Sequence, residues 1–363
     1  MTAPESASAP AFAPAPGHTD EVLYAVTDRI GRVRLNRPRA INSLNTAMCD
    51  SLLVQLRAWA EDDAVAAVFI DGAGEKGLCA GGDVRALREL ILAGDPQAAV
   101  RFWELEYSVN ALIADYPKPY SAWMDGVVMG GGVGVSAHGS LRLVTERSKV
   151  AMPETIIGFF PDVGGLYYLA HAPGELGTHV ALTGLPVGPA DAVVLGLADT
   201  VVPSAAKDDQ LSNPSPIFGE VSHAAPAFLG RFRTPEDGSS APTSELEPQR
   251  GWIDECYAGD DAAEILERLR THEDPAARAA GEAIAARSPH SITITLKAIR
   301  RARGMTVQQV LAQDAVLGAH FAGHPDFAEG VRALLVDKDK SPRWADASIA
   351  DVDPALVAAA FGD

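Results

Sequence analysis

Residues 151–165 read Ala-Met-Pro-Glu-Thr-Ile-Ile-Gly-Phe-Phe-Pro-Asp-Val-Gly-Gly, and the interpretation of the whole chain turns on them. Two acids, Glu154 and Asp162, each follow a proline whose fixed φ favours a turn or the first turn of a helix. A carboxylate held in such a turn can serve as a general base or a nucleophile. Glu154 can also be a plain helix cap or surface acid. Asp162, in Pro-Asp before Val-Gly-Gly, also suits a turn and a helix N-cap.

Two glycine clusters lie upstream. Ala80-Gly81-Gly82-Asp83 ends a loop at the start of a helix, and Met129-Gly130-Gly131-Gly132 does the same at a second. Amides at a helix start have no intrahelical partner. Two of them aimed at one point can bind a carbonyl oxygen and stabilise its oxyanion, and glycine lets that carbonyl approach closely. Either cluster alone reads as a tight turn; together with Glu154 they form a constellation for acyl chemistry.

Other motifs are weaker. Gly72-Ala73-Gly74-Glu75-Lys76-Gly77 is a literal GxGxxG, but paired glycines follow where a dinucleotide fold needs a helix. Gly132 to Ala137 fits the looser GxGxxA. Gly134-Val135-Ser136-Ala137-His138 has His where a nucleophile elbow needs its last glycine. Cys79 lies beside the first glycine loop without an evident His partner and reads as a small packed thiol.

The surrounding pattern alternates strands and helices. Val22–Val26 and Arg32–Leu35 bracket the turn Asp28-Arg29-Ile30-Gly31 as a hairpin. Leu44, Met48, Leu52 and Leu56 recur at helical spacing, with Asn42 or Asn45 as cap. Strands are predicted over 64–70, 119–124 and 141–145, and helices over 83–92 and 96–113. This is a layered α/β core with crossovers over residues 21–203. Residues 1–20, rich in Ala and Pro and without Arg or Lys, read as a disordered tail rather than a signal or transit peptide. Residues 204–250 read as a variable insertion or linker. Helical periodicity over 262–270, 276–287, 292–303 and 307–321 predicts an α-helical C-terminal subdomain, residues 251–363.

Composition excludes several classes. The net charge of -18 argues against nucleic acid or anionic membrane as a partner. No run approaches the ~18 apolar residues of a membrane span. The three cysteines are unpaired in spacing and the nine histidines form no HExxH, so neither a disulfide framework nor a metal site is expected. A cytoplasmic protein follows from that reading.

In order, Asn36-Arg37-Pro38, Ala80 to Asp83, Gly130 to Gly132 and Pro153-Glu154 resemble the active-site segments of the crotonase superfamily. That resemblance implies a ββα spiral core, oxyanion-hole amides at Gly82 and Gly131, and an acyl-CoA substrate with no separate cofactor. Met152 to Gly165, and Glu329 through Pro342, are similar to the 3-hydroxyisobutyryl-CoA hydrolases of valine degradation. The resemblance implies Glu154 and Asp162 as catalytic residues. Glu104 to Tyr107 resembles that family's Glu-Glu-Tyr helix, which points to substrate contact by Glu106; a solvated helix face is the alternative. Where two-glutamate hydratases carry their second acid, this chain has Gly134. An isomerase or hydratase of the same fold, or a non-catalytic acyl-CoA-binding protein, are the competing readings. Superfamily members often form trimers or hexamers, so a homo-oligomer is possible.

Overall fold

A computed structural model of the chain describes residues 11–207 and 242–362. The hairpin forms from β1 (Val22–Thr27) and β2 (Ile30–Leu35), paired antiparallel. Its turn is shorter than expected: Asp28 and Arg29 alone make it, at φ 51° and 63°, and Ile30 and Gly31 already belong to β2. Two successive left-handed residues match the twist of the strands they join. Asn45, not Asn42, caps α1 (Thr46–Glu61) by accepting from the Met48 N–H.

From there each turn of the chain lays one strand in each of two sheets. β3 (Ala67–Gly72), β5 (Tyr120–Met124), β7 (Leu141–Thr145) and β9 (Thr200–Val202) extend the hairpin into a six-stranded sheet, order β1-β2-β3-β5-β7-β9. The short strands β4 (Gly77–Cys79), β6 (Val127–Met129) and β8 (Lys149–Ala151) form a second, parallel sheet. Each member of the pairs β3/β4, β5/β6 and β7/β8 goes to a different sheet, which is the ββα spiral. The literal GxGxxG is the β3–β4 connection, and its last glycine enters a strand, as a dinucleotide fold would not have it.

Helices α2 (Val84–Leu92) and α3 (Pro96–Ala114) complete the first turn, and α4 (Gly131–Gly134) the second. Asp83 and Asp95 cap α2 and α3 with their side chains. After β8 come α5 (Gly165–His171), α6 (Leu176–Thr183) and α7 (Pro189–Val194). The C-terminal region is helical: α8 (Arg250–Cys256), α9 (Ala262–Thr271), α10 (Pro275–Ala285), α11 (Pro289–Ala302), α12 (Val307–Gly323), α13 (Pro325–Val331) and α14 (Pro354–Ala360). Helix α12 packs along α3, and the main hydrophobic core runs from Ala15 to Ala360. The C-terminal helices therefore share the core of the spiral.

The segment expected to be a disordered tail needs correction where it is described. Ala13 bridges Tyr24 in both directions, Ala15 is buried, and the Arg34 guanidinium lies 4.4 Å from the centre of the Phe12 ring. An aromatic under a cation and a backbone bridge anchor a stretch whose composition suggested otherwise. Residues 1–10 lie outside the described residues. So does most of the expected insertion, although Ser244, Glu245 and Leu246 all donate to Oδ1 of Asp191.

Candidate active site

Three loops leave the carboxyl ends of the neighbouring strands β4, β6 and β8, and they carry Gly82, Gly131 and Glu154 respectively. Carboxyl ends of parallel strands are where open α/β sheets gather ligands. The small second sheet is therefore the frame of the site. Leu44 clamps the first loop, donating to Gly81 O and accepting from the Asp83 N–H, so the intervening Gly82 N–H faces away from Leu44. Gly131 opens α4, where its N–H has no intrahelical acceptor. Among the described residues, neither amide has a hydrogen-bond acceptor. A Cβ placed on Gly131 would sit 3.4 Å from the Gly82 nitrogen, so the two loops meet.

Glu154 begins a short 3-10 turn (Glu154–Ile157) after Pro153. Its Oε1 would lie 2.6 Å from a Cβ on Gly130, which places the carboxylate over the same glycine loop. Helix α3 supplies Glu106, whose Oε1 would be 2.3 Å from a Cβ on Gly131. At position 131 glycine is required by space, because any side chain there would meet the acid.

Gly82, Glu106, Gly131, Glu154 and Asp162 line one cavity of about 180 Å³. Its other wall is apolar: Val84, Leu87, Phe102 and Trp103 from the first spiral turn, and Phe327, Leu334 and Leu335 from the C-terminal region. All five residues read from the sequence are thus brought together. Neither Tyr167 nor Tyr168 reaches the cavity. Cys79 is a packed thiol: its Sγ accepts from the Gly81 N–H, and burial pushes its pKa up to about 12. Ser136, in the turn after α4, donates back to Gly132 O, as a structural serine does.

The acids are electrostatically unusual. Burial, then the nearby Asp162 charge, hold both Glu106 and Glu154 well above the usual carboxylate range. Asp162 is pushed up to about 7 by burial, against the opposing effect of the Tyr107 hydroxyl, which donates to its Oδ2 over 2.7 Å. Glu106 Oε1 and Glu154 Oε2 have no hydrogen-bond partner among the described residues. Unsatisfied buried acceptors in a cavity are where a ligand or water completes the bonding.

Position 134 is informative. A Cβ there would come within 2.8 Å of both Asn110 Nδ2 and Val163 Cβ, so the space a second glutamate would need is already filled. Three residues of this neighbourhood escaped the sequence reading as participants: Tyr107, Asn110 and Asp314. Tyr107 and Asn110 continue the face of α3 that carries Trp103 and Glu106, and polar groups on an otherwise buried helix face are the signal that could have found them. Asp314 comes from α12, and nothing local in the sequence marks it.

Two arginines near the first glycine loop are committed to protein partners. Arg37 pairs with Glu21 at 2.9 Å and Asp83 at 3.1 Å, and Arg85 donates to Leu335 O. Away from the cavity, His290, His324 and Asp346 bring possible ligand atoms within 4.8 Å of one another. The two imidazoles stack at 4.0 Å and 4°, so their in-plane lone pairs run parallel and do not converge on an ion.

The sequence pattern of the enoyl-CoA hydratase/isomerase family matches residues 30–361. The chain belongs to that family. Within the family it is similar to the mitochondrial 3-hydroxyisobutyryl-CoA hydrolase of Rattus norvegicus, 39% identical over 92% of this chain and 86% of that protein. The Homo sapiens protein of the same name is 37% identical over 92% of this chain and 87% of its own. Among solved structures, a carnitinyl-CoA dehydratase from Mycobacterium thermoresistibile has a TM-score of 0.85 at 45% identity, covering 94% of this chain and 96% of that one. An enoyl-CoA hydratase from Rhodobacter sphaeroides 2.4.1 has a TM-score of 0.84 at 37% identity, covering 94% and 97%. The crotonase-like spiral expected from the glycine and Pro-Glu motifs is therefore the fold of this family member. Among its described residues no helix is long and apolar enough to cross a membrane.

Proposed function

We propose that this enzyme hydrolyses a short 3-hydroxyacyl-CoA thioester, 3-hydroxyisobutyryl-CoA above others, to the free acid and CoA. The observation that carries the reading is the site's inventory: two unpaired amides, the Glu154 carboxylate over the same glycine loop, and a position 134 with no room for the second glutamate of a hydratase. The curated relatives' names agree with hydrolysis. The names of the two similar solved structures favour hydration or dehydration, so the reaction class is the point to test.

In this reading the thioester carbonyl oxygen accepts from the Gly82 and Gly131 N–H groups. As the tetrahedral intermediate forms, negative charge grows on that oxygen and those bonds strengthen. Glu154 takes a proton from water while the water oxygen attacks the carbonyl carbon; the C–S bond then breaks and the thiolate leaves and is protonated. Direct attack by Glu154, giving a mixed anhydride that water later opens, uses the same groups. A raised proton affinity suits Glu154 as a base near neutral pH. Asp162 and Glu106 line the same cavity, which supports a role for them in binding the 3-hydroxyl or the attacking water. The apolar wall of Leu334, Leu335 and Phe327 accommodates the acyl branch and thioester arm. One methylene in such a pocket is worth only about 1–3 kcal/mol, so 3-hydroxypropionyl-CoA is an expected second substrate.

A cytoplasmic location belongs to the same proposal. The three cysteines are free and buried, as suits a reducing compartment, while the relatives are named as mitochondrial. Localising the tagged full chain in its own cell decides between the two.

The test of reaction class is a panel of acyl-CoA thioesters followed simultaneously for free thiol and for enoyl absorbance. Thiol release from 3-hydroxyacyl substrates, with no change in enoyl absorbance, is expected. Enoyl interconversion without thiol would assign the chain to the hydratase or isomerase chemistry instead. Tight binding with no turnover would mark a binding protein.

A further inference from the structure

The two residues that follow Asp162 both have left-handed backbone: Val163 at φ 53° and Gly164 at φ 73°. Glycine adopts this freely, but a β-branched valine does so only where its surroundings impose it. Two polar contacts impose it here. The Gly164 N–H donates to Oδ2 of Asp314 over 2.8 Å, and His138 Nε2 donates to Val163 O over 2.7 Å. Packing does the rest, since Val163 is buried against the backbone of Gly134.

Asp314 is the unexpected member of this set. It lies on α12, 150 residues beyond its partner Gly164, and is fully buried. Its Oδ1 has no partner among the described residues. Burying a carboxyl to hold one backbone amide is a costly way to pack two helices, because an apolar residue would fill that space without desolvating an acid. Asp314 does not line the cavity. What it touches is the turn from which Asp162 enters it.

We propose that Asp314 is a positioning residue, whose carboxyl oxygen holds the strained Val163–Gly164 turn and so aims Asp162 into the cavity. This inference rests on the hydrolase reading of that cavity and extends it to the C-terminal helices. It gives α12 a part in the reaction beyond covering the core. Toward that turn Asp314 only accepts, its Oδ2 taking the Gly164 N–H, and this is a role that an amide oxygen can fill.

The experiment compares wild type, D314N and D314L by thiol release from 3-hydroxyisobutyryl-CoA, with kcat and KM separated and native ellipticity required of each. Asn keeps the acceptor, whereas Leu keeps the volume and removes it. D314N is expected within about threefold of wild-type kcat. D314L is expected to lose about 100-fold in kcat with KM little changed, the scale of a displaced catalytic group. Should Leu not fold there, Ser, too short to reach Gly164, replaces it in the same comparison. A D314L or D314S enzyme with wild-type kcat overturns the proposal, as does a D314N enzyme as slow as D314L. A wild type that releases no thiol from any hydroxyacyl-CoA removes the hydrolase reading and this proposal with it. That result is distinct from an active wild type beside an active D314L.

Discussion

The hydroxyl of Tyr107 donates a 2.7 Å hydrogen bond to Oδ2 of Asp162, and both groups are buried. The bond favours the charged carboxylate, yet burial outweighs it and leaves Asp162 titrating at about 7. Glu106 and Glu154 lie close enough to feel that charge, so the acids of the site titrate as a coupled set.

Replacing Tyr107 with Phe removes the hydroxyl that donates to Asp162 Oδ2 without emptying the site. Hydrogen bonds to charged groups contribute about 1.5–3 kcal/mol, so the proton affinity of Asp162 rises further. The acidic limb of kcat/KM against pH is expected to move up by about one unit in Y107F, with activity recovered at higher pH. A profile superimposable on wild type would mean that the carboxylate form of Asp162 is not used.

Substituting Gly131 by Ala places a methyl 2.3 Å from Glu106 Oε1 and 3.4 Å from the Gly82 nitrogen. The acid must shift, and the thioester carbonyl loses its approach to the two amides. A fall in kcat of about 100- to 1000-fold is expected, the scale of a lost oxyanion donor. Steady-state kinetics on folded G131A protein checks this, and a change in KM alone would argue against an oxyanion role.

Stability should respond to the buried charge of Glu154. Its folded-state proton affinity is raised, so ionisation destabilises the native state progressively as pH rises from about 4.5 through the folded pKa. E154Q carries no such cost. The melting temperature of E154Q should match wild type near pH 5 and exceed it by about 2 °C or more at pH 8. The comparison with wild type is needed because buried His138 and His179, held down to about 4, pull total stability the other way as pH falls. Equal melting temperatures at both pH values would contradict a desolvated Glu154.

Much of the site was legible because its parts are short local strings. Gly81-Gly82, Gly130-Gly131 and Pro153-Glu154 each place their functional atom by backbone geometry within a few residues. The sheet that unites them was not legible: Gly77-Leu78-Cys79, Val127-Val128-Met129 and Lys149-Val150-Ala151 are three residues each, too short for any alternation to register. Tyr107 and Asp314 were missed because their partners lie 55 and 150 residues away, where only tertiary packing brings them together. The Ala/Pro-rich start was misread from Phe12 onward because a single aromatic and one backbone bridge outweigh composition.

The most direct measurement is thiol release from 3-hydroxyisobutyryl-CoA by wild type and by E154Q, with CoA-thioester affinity determined separately for both. The site described here predicts rapid release by wild type, and a loss of at least about 100-fold in E154Q with affinity little changed. An E154Q enzyme that hydrolyses the thioester at the wild-type rate would contradict it.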